Sequence, residues 1–205
     1  MQQVLGECAK DGRYIICFTG AAIIRLISVL FSNFLLLWIT SFVDEGLIGE
    51  NQSKGLYQKI MLASTIGTVV LLPIFGHLGD KVPSTVLVPV AFALRGLCGY
   101  SFLWLTDPQS VLAITMCVLL IIFSVIEAIS VEVLFFKNVP SEIRGTMMGV
   151  FAFFGLFGAL TFTLVGGQMF DRIDRSAPFI FLAIMDSFLV VLAITMTALG
   201  RFKSN

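Results

Sequence analysis

The stretch QSVLAITMCVLLIIFSVIEAISVEVLFFK (Gln109–Lys137) decides the fold class of this chain. From Gln109 to Ile126 it carries no charged residue at all. About 20 apolar residues in a helix, rising ~1.5 Å each, cross the ~30 Å hydrocarbon core of a bilayer. A helix this long and this apolar has no polar face to offer water, so it reads as a membrane span.

Five further segments meet the same length, which predicts an all-α membrane protein of six transmembrane helices. The first is expected at Tyr14–Val43, the second at Gly55–Phe75 and the third at Thr85–Leu105. Gln109–Lys137 is the fourth, Gly145–Phe170 the fifth and Ala177–Leu199 the sixth. Residues 1–13 and 200–205 are read as short tails. Between the spans lie the polar Asp44–Ser53, GHLGDKVPS (Gly76–Ser84), Thr106–Pro108, NVPSEIR (Asn138–Arg144) and DRIDRS (Asp171–Ser176). Glycine, proline and charge cluster in these connectors, as they do where helices turn.

Composition agrees with the spans. Hydrophobic residues make up 58% of the 205 and charged ones 13%, with a mean hydropathy of +0.98. Soluble domains average about 45–50% apolar and about 25% charged. The 13 basic and 13 acidic residues cancel, so no field favours nucleic acid. Of the four cysteines, Cys17, Cys98 and Cys117 fall in apolar runs and Cys8 in the tail. Neither they nor the single His77 have metal-ligand spacing. No nucleophile–base pair or phosphate-binding loop is evident, so neither enzymatic chemistry nor a cofactor is expected. Met1–Gly12 is mixed in charge and the apolar run after it is too long for a cleavable signal, so that run is the first span.

Six crossings place both termini on one side. That side holds Lys10, Arg13, Lys81, Lys137, Arg144, Arg201 and Lys203, and the other Lys54, Lys59, Arg172 and Arg175. The excess assigns the termini to the cytoplasm or matrix.

The connector Gly76-His-Leu78-Gly79-Asp80-Lys81-Val-Pro83-Ser84 resembles the major facilitator superfamily signature G-x-L-x-D-R-x-G-R, which joins the second and third helices of each half. Gly76, Leu78, Asp80 and the basic Lys81 match, whereas Pro83 and Ser84 depart from it. Pro140-Ser-Glu-Ile-Arg144-Gly145-Thr146 resembles the family's P-x-x-x-R-G-T stretch before the eleventh helix. Gly149, Gly155, Gly158, Gly166, Gly167 and then Asp171 resemble that glycine-rich helix and its exit. The chain is therefore similar to the C-terminal half of such a transporter, helices 7–12. The resemblance implies a gating latch of Gly76, Gly79, Asp80, Lys81, Arg144 and Gly145, in which Asp80 meets Arg144. It also implies a cavity lined by the first and fourth helices, with the third and sixth as outer scaffold.

An ionisable group at mid-helix costs at least ~2.5–3.5 kcal/mol in lipid, so each needs a partner or water. Five occur: Arg25, Arg95, Glu127, Glu132 and Asp186. Arg25 and Glu127 lie about eleven and ten residues from the same membrane face, depths that agree within a turn. Arg25 heads a stripe with Ala21, Ser28 and Ser32 at helical spacing, with Asn33 beside it, and Ser124 and Ser130 flank Glu127. The substrate-binding set is accordingly Arg25, Ser28, Ser32, Asn33 and Glu127. Arg25 would hold an anionic group, with Glu127 as counter-ion or proton carrier. A permanent ion pair between two helices is the plainer alternative. Glu132 is expected to reach Lys137 or Arg144. Arg95 and Asp186, at similar depths, read as a structural pair or as contacts to another subunit. Gly145-x-x-x-Gly149 and Gly155-x-x-x-Ala159 invite close helix packing.

The function expected is secondary active or facilitative transport of a small solute, as one half of a twelve-helix transporter. The other half would be part of the same polypeptide, a separate chain or a second copy. The alternative is a non-transporting accessory subunit of a larger complex that keeps a half-transporter fold.

Overall fold

A computed structural model describes residues 12–202; the readings placed on Cys8, Lys10, Lys203 and the outermost tail residues lie outside it. Six helices are long and apolar enough to cross a membrane: α1 Gly12–Asp44, α2 Glu50–Lys81, α3 Ser84–Ser101, α4 Val111–Asn138, α5 Arg144–Arg172 and α6 Ala177–Ala198. The chain is an all-α, multi-pass integral membrane protein. Among the described residues there is no strand.

The ends of these helices have local causes. α2 runs well beyond the span expected at Gly55–Phe75. At its start Gln52 Oε1 accepts the Gly49 N–H at 3.2 Å, and Lys54 pairs with Glu50 at 2.8 Å. At its far end Gly76–Lys81 stay helical, and it is Pro83 that stops the helix by holding Val82 extended, with ψ 133°. Pro73 sits inside the helix without ending it. α4 begins at Val111, because Ser110 is its cap: Ser110 Oγ accepts the Ala113 N–H at 3.1 Å. α3 stops at Ser101, short of the expected Leu105.

α1 is interrupted by a π-helical turn at Leu30–Phe34. The Leu35 N–H donates to Leu30 O, and the Tyr57 hydroxyl of α2 donates to Phe31 O at 3.3 Å. A backbone carbonyl loosened at such a turn needs a donor where no water is available, and Tyr57 supplies it. The core residues Leu30, Phe34, Trp38 and Phe42 thus recur at every fourth position. Trp38 stacks edge-on against Phe42, Phe102 and Phe179 at 5.2, 5.2 and 6.1 Å, closing one end of the bundle.

The packing has an internal symmetry. α1 packs on α5 and α2 on α4, α3 on α6, and α4 and α6 lie against α3 and α1. Exchanging α1 with α4, α2 with α5 and α3 with α6 maps these pairings onto one another, the pattern of a 3+3 inverted repeat. α3 and α6 meet through Gly99, where a Cβ would stand 2.9 Å from that of Ala183. α1 and α5 meet through Gly158, where a Cβ would stand 2.5 Å from Ala22 O. Gly145 and Gly149, by contrast, face open space. Outer stripes of Val86, Val90, Leu94 and Leu97 on α3 and Ile184, Phe188 and Val191 on α6 are exposed, as lipid-facing residues must be.

Gly158→Val should therefore lower stability by about 1–3 kcal/mol, since backbone stands where its side chain must go. Gly149→Ala should be neutral or slightly stabilising. Thermal unfolding of both purified variants in mild detergent checks the contrast.

Candidate functional site

Two polar constellations lie inside the bundle, and they divide the five intramembrane charges between them. The first is a cleft of about 360 Å³ between α1, α4 and α5. Arg25 and Ser28 line it from α1, Ser124, Ala128 and Glu132 from α4, and Phe151 from α5. Arg25 reaches it past Gly155, whose Cβ position lies 2.9 Å from Arg25 Cγ, so the missing side chain makes room for the arginine stem. Arg25, Ser28 and Glu132 are exposed there. Among the described residues neither Arg25 nor Glu132 has an ion-pair partner, leaving both free to meet a solute or water.

The second constellation is closed. Arg95 on α3 donates through Nε to Asp186 Oδ2 at 3.0 Å, and through Nη2 to Asp186 Oδ1. Its Nη1 touches Glu127 Oε2 of α4. All three side chains are at most 1% exposed. Gly96 permits this: a Cβ there would stand 3.3 Å from Asp186 Cβ. The fork of the guanidinium engages both oxygens of Asp186.

This arrangement corrects the pairing drawn from helix depth. Glu127 does not meet Arg25; it turns to Arg95, because similar depth says nothing of the direction in which a side chain leaves its helix. Ser28 shares the cleft with Arg25. Ser32 and Asn33 are exposed on the π turn, outside the residues lining the cleft, where Ser32 Oγ bonds Val29 O at 3.3 Å. Glu132 lies on the cleft and pairs with neither Lys137 nor Arg144. Arg95 and Asp186 face one another within the bundle, so neither is presented outward to a neighbouring subunit.

At the end where Gly12 meets Arg201 the helix ends are tied by hydrogen bonds. Arg13 Nη1 donates to Asn138 Oδ1 at 2.6 Å, and Lys137 Nζ caps Gly79 O at 3.1 Å. Gly79 is buried against Ile129 and Val133 of α4, whereas Gly76 has open space around its α-carbon and Asp80 and Lys81 are exposed. Arg144 donates to Val139 O at 3.3 Å and lies over the Phe136 ring, 5.9 Å from its centre. Among the described residues no ion pair joins Asp80 to Arg144.

No protein-family model matches the sequence. Magnetosome protein MamH of Paramagnetospirillum magneticum is 26% identical over 181 residues, which cover 83% of this chain and 40% of that protein. Among solved structures, the major facilitator superfamily proton:xylose symporter XylE bound to 6-bromo-6-deoxy-D-glucose aligns at a TM-score of 0.63 and 14% identity. The match covers 93% of this chain and 46% of the symporter. The chain has the fold of a major facilitator half. It spans less than half the length of either protein. In this half-bundle the cleft opens on α1, α4 and α5, and the paired α3 and α6 bring two of the three buried charges together.

Arg95→Met should be the most damaging single change of the triad, costing about 3–5 kcal/mol by leaving two carboxylates buried without their cation. Replacing Arg95, Glu127 and Asp186 together by Met, Leu and Leu should recover most of that loss. Arg25→Met, on the open cleft, should shift stability by no more than about 0.5 kcal/mol. Unfolding of the three variants in detergent reads the order.

Proposed function

We propose that the chain forms one half of a secondary transporter and that Arg25 binds an anionic group of a small solute. The observation that carries this reading is the cleft, where Arg25 and Ser28 offer donors beside Glu132 without being consumed by internal ion pairs. Transporters of this architecture bind solute between two repeats and rock one against the other. Six helices supply one wall. The other wall would be a second six-helix half, seated against the exposed apolar stripes Leu62, Ile66, Val69 and Val70 of α2 and Leu156, Phe157, Leu160 and Leu164 of α5. Ser32 and Asn33, exposed further along α1, would line the deeper part of the completed cavity. Similarity to the C-terminal half rests on the Gly76–Lys81 and Pro140–Thr146 motifs.

On the same reading the termini face the cytoplasm or matrix. Gly76, Gly79, Asp80, Lys81, Arg144 and Gly145 then form a latch that closes in another conformation by bringing Asp80 to Arg144. The solute need not be a sugar, since a fixed guanidinium selects for negative charge.

The test is copurification in mild detergent with intact masses of every chain, followed by counterflow in proteoliposomes. Phosphate and small mono- and dicarboxylates serve as probes. A second half, as a partner of similar size, a second copy or the remainder of a longer chain, should be present. Arg25→Ala should reduce flux of the transported anion about 10–100-fold, the loss of one or two charged hydrogen bonds of ~1.5–3 kcal/mol. Arg25→Lys should keep part of it, and abundance and melting should not change. Unchanged flux in Arg25→Ala removes Arg25 from the site. A particle of unrelated subunits carrying no flux makes this half-bundle an accessory subunit.

A further inference from the structure

At the end of the bundle where α1 finishes and α2 begins lies a second cavity, of about 420 Å³, which shares no residue with the cleft. Asn51, Gln52, Leu56 and Lys59 line it from α2, and Gln109 and Ile114 from the start of α4. Its rim is polar and pinned. Gln52 Oε1 accepts the Gly49 N–H at 3.2 Å and Gln109 Nε2 at 3.4 Å, which ties α2 to the connector before α4. With its carbonyl used twice, Gln52 has only N–H donors left to offer the cavity. Trp104, 74% exposed on the same connector as Gln109, marks the level of the lipid headgroups.

Lys59 stands about two helical turns below that rim, because α2 begins at Glu50 and not near Gly55. An ammonium inside a membrane helix needs a counter-charge or water. The neighbouring carboxylates are engaged elsewhere. Glu50 pairs with Lys54 at 2.8 Å, Glu45 with Arg175 at 2.7 Å, and Asp107 Oδ1 accepts the Gln109 N–H at 2.8 Å. Among the described residues Lys59 has no ion-pair partner, and no acid lines the cavity. The cavity thus gathers one cation and several amides around walls of Leu56 and Ile114. A planar carboxylate is best matched by the fork of an arginine. A lysine is a compact point charge with three donors, suited to a phosphate that presents oxygens on every side.

We infer that this cavity binds a phosphate group, with Lys59 as its counter-charge and the amides of Asn51, Gln52 and Gln109 as donors to its oxygens. At headgroup level such a group comes either from a phospholipid or, as free phosphate, from the adjoining solution. Either source would fasten α2 to the start of α4 through one anion. The inference uses no residue of the cleft and stands whether or not Arg25 binds a solute.

The experiment uses the full chain in an uncharged maltoside detergent and has two arms. Native mass spectrometry counts bound lipid when phosphatidylglycerol and a phosphate-free monoglucosyl diacylglycerol are offered equally. ³¹P NMR reads line broadening of inorganic phosphate, with Arg25→Met protein so that the cleft does not contribute. The phospholipid should be retained about tenfold over the glycolipid, or the phosphate line should broaden, and the arm that responds names the source. Lys59→Met should abolish the response and Lys59→Arg should keep most of it. Melting should not move in either variant, since Lys59 is exposed and makes no ion pair. Silence in both arms overturns the inference, and so does a response that survives Lys59→Met.

Discussion

A guanidinium shared by two carboxylates in a bilayer-embedded core is the constraint around which this bundle is arranged. In water such charges would be indifferent to one another's exact placement. In lipid no solvent can substitute for a lost partner, so α3, α4 and α6 must arrive together at the level of Arg95. The small residues follow from that demand. Gly96 and Gly99 bring α3 close enough to α6 for the fork of Arg95 to reach both oxygens of Asp186. The lipid-facing stripes of the same two helices are then free to be wholly apolar.

The cleft is the complement of this closed cluster. α4 separates the two: Glu127 turns inward to Arg95, while Ser124, Ala128 and Glu132 turn toward α1. One helix therefore presents a closed, ion-paired face and a polar, open one. Gly155 has an equivalent role on α5, since its missing side chain lets the Arg25 stem pass into the opening.

The class of fold was legible because span length and apolarity depend only on composition along the chain, and six runs announce themselves. The site was legible only in part. Arg25 and Ser28 share a helical stripe, and spacing within one helix is a reliable guide. Pairing Arg25 with Glu127 required knowing how α4 is rotated, which depth along the helix does not fix. A signal was present in Arg95-Gly96-Leu97-Cys98-Gly99: an arginine beside two glycines marks a surface buried against another helix. The extent of α2 was hidden by reading Gly76 and Gly79 as a turn, when Pro83 is the residue that ends the helix. The π turn had no counterpart in the hydrophobic pattern, and the phenol that caps its Phe31 carbonyl stands on a different helix.

That turn gives α1 a property its neighbours lack. Below it the helix keeps the phase set by Arg25 and the cleft; above it the phase is set by the aromatic cluster around Trp38. The extra residue resets the helix between these two sections, and the turn is held by the Leu35 N–H on Leu30 O and by the Tyr57 phenol on Phe31 O. The face of α1 that lines the cleft and the face that carries the aromatic cluster are thereby set in register separately, on one continuous helix.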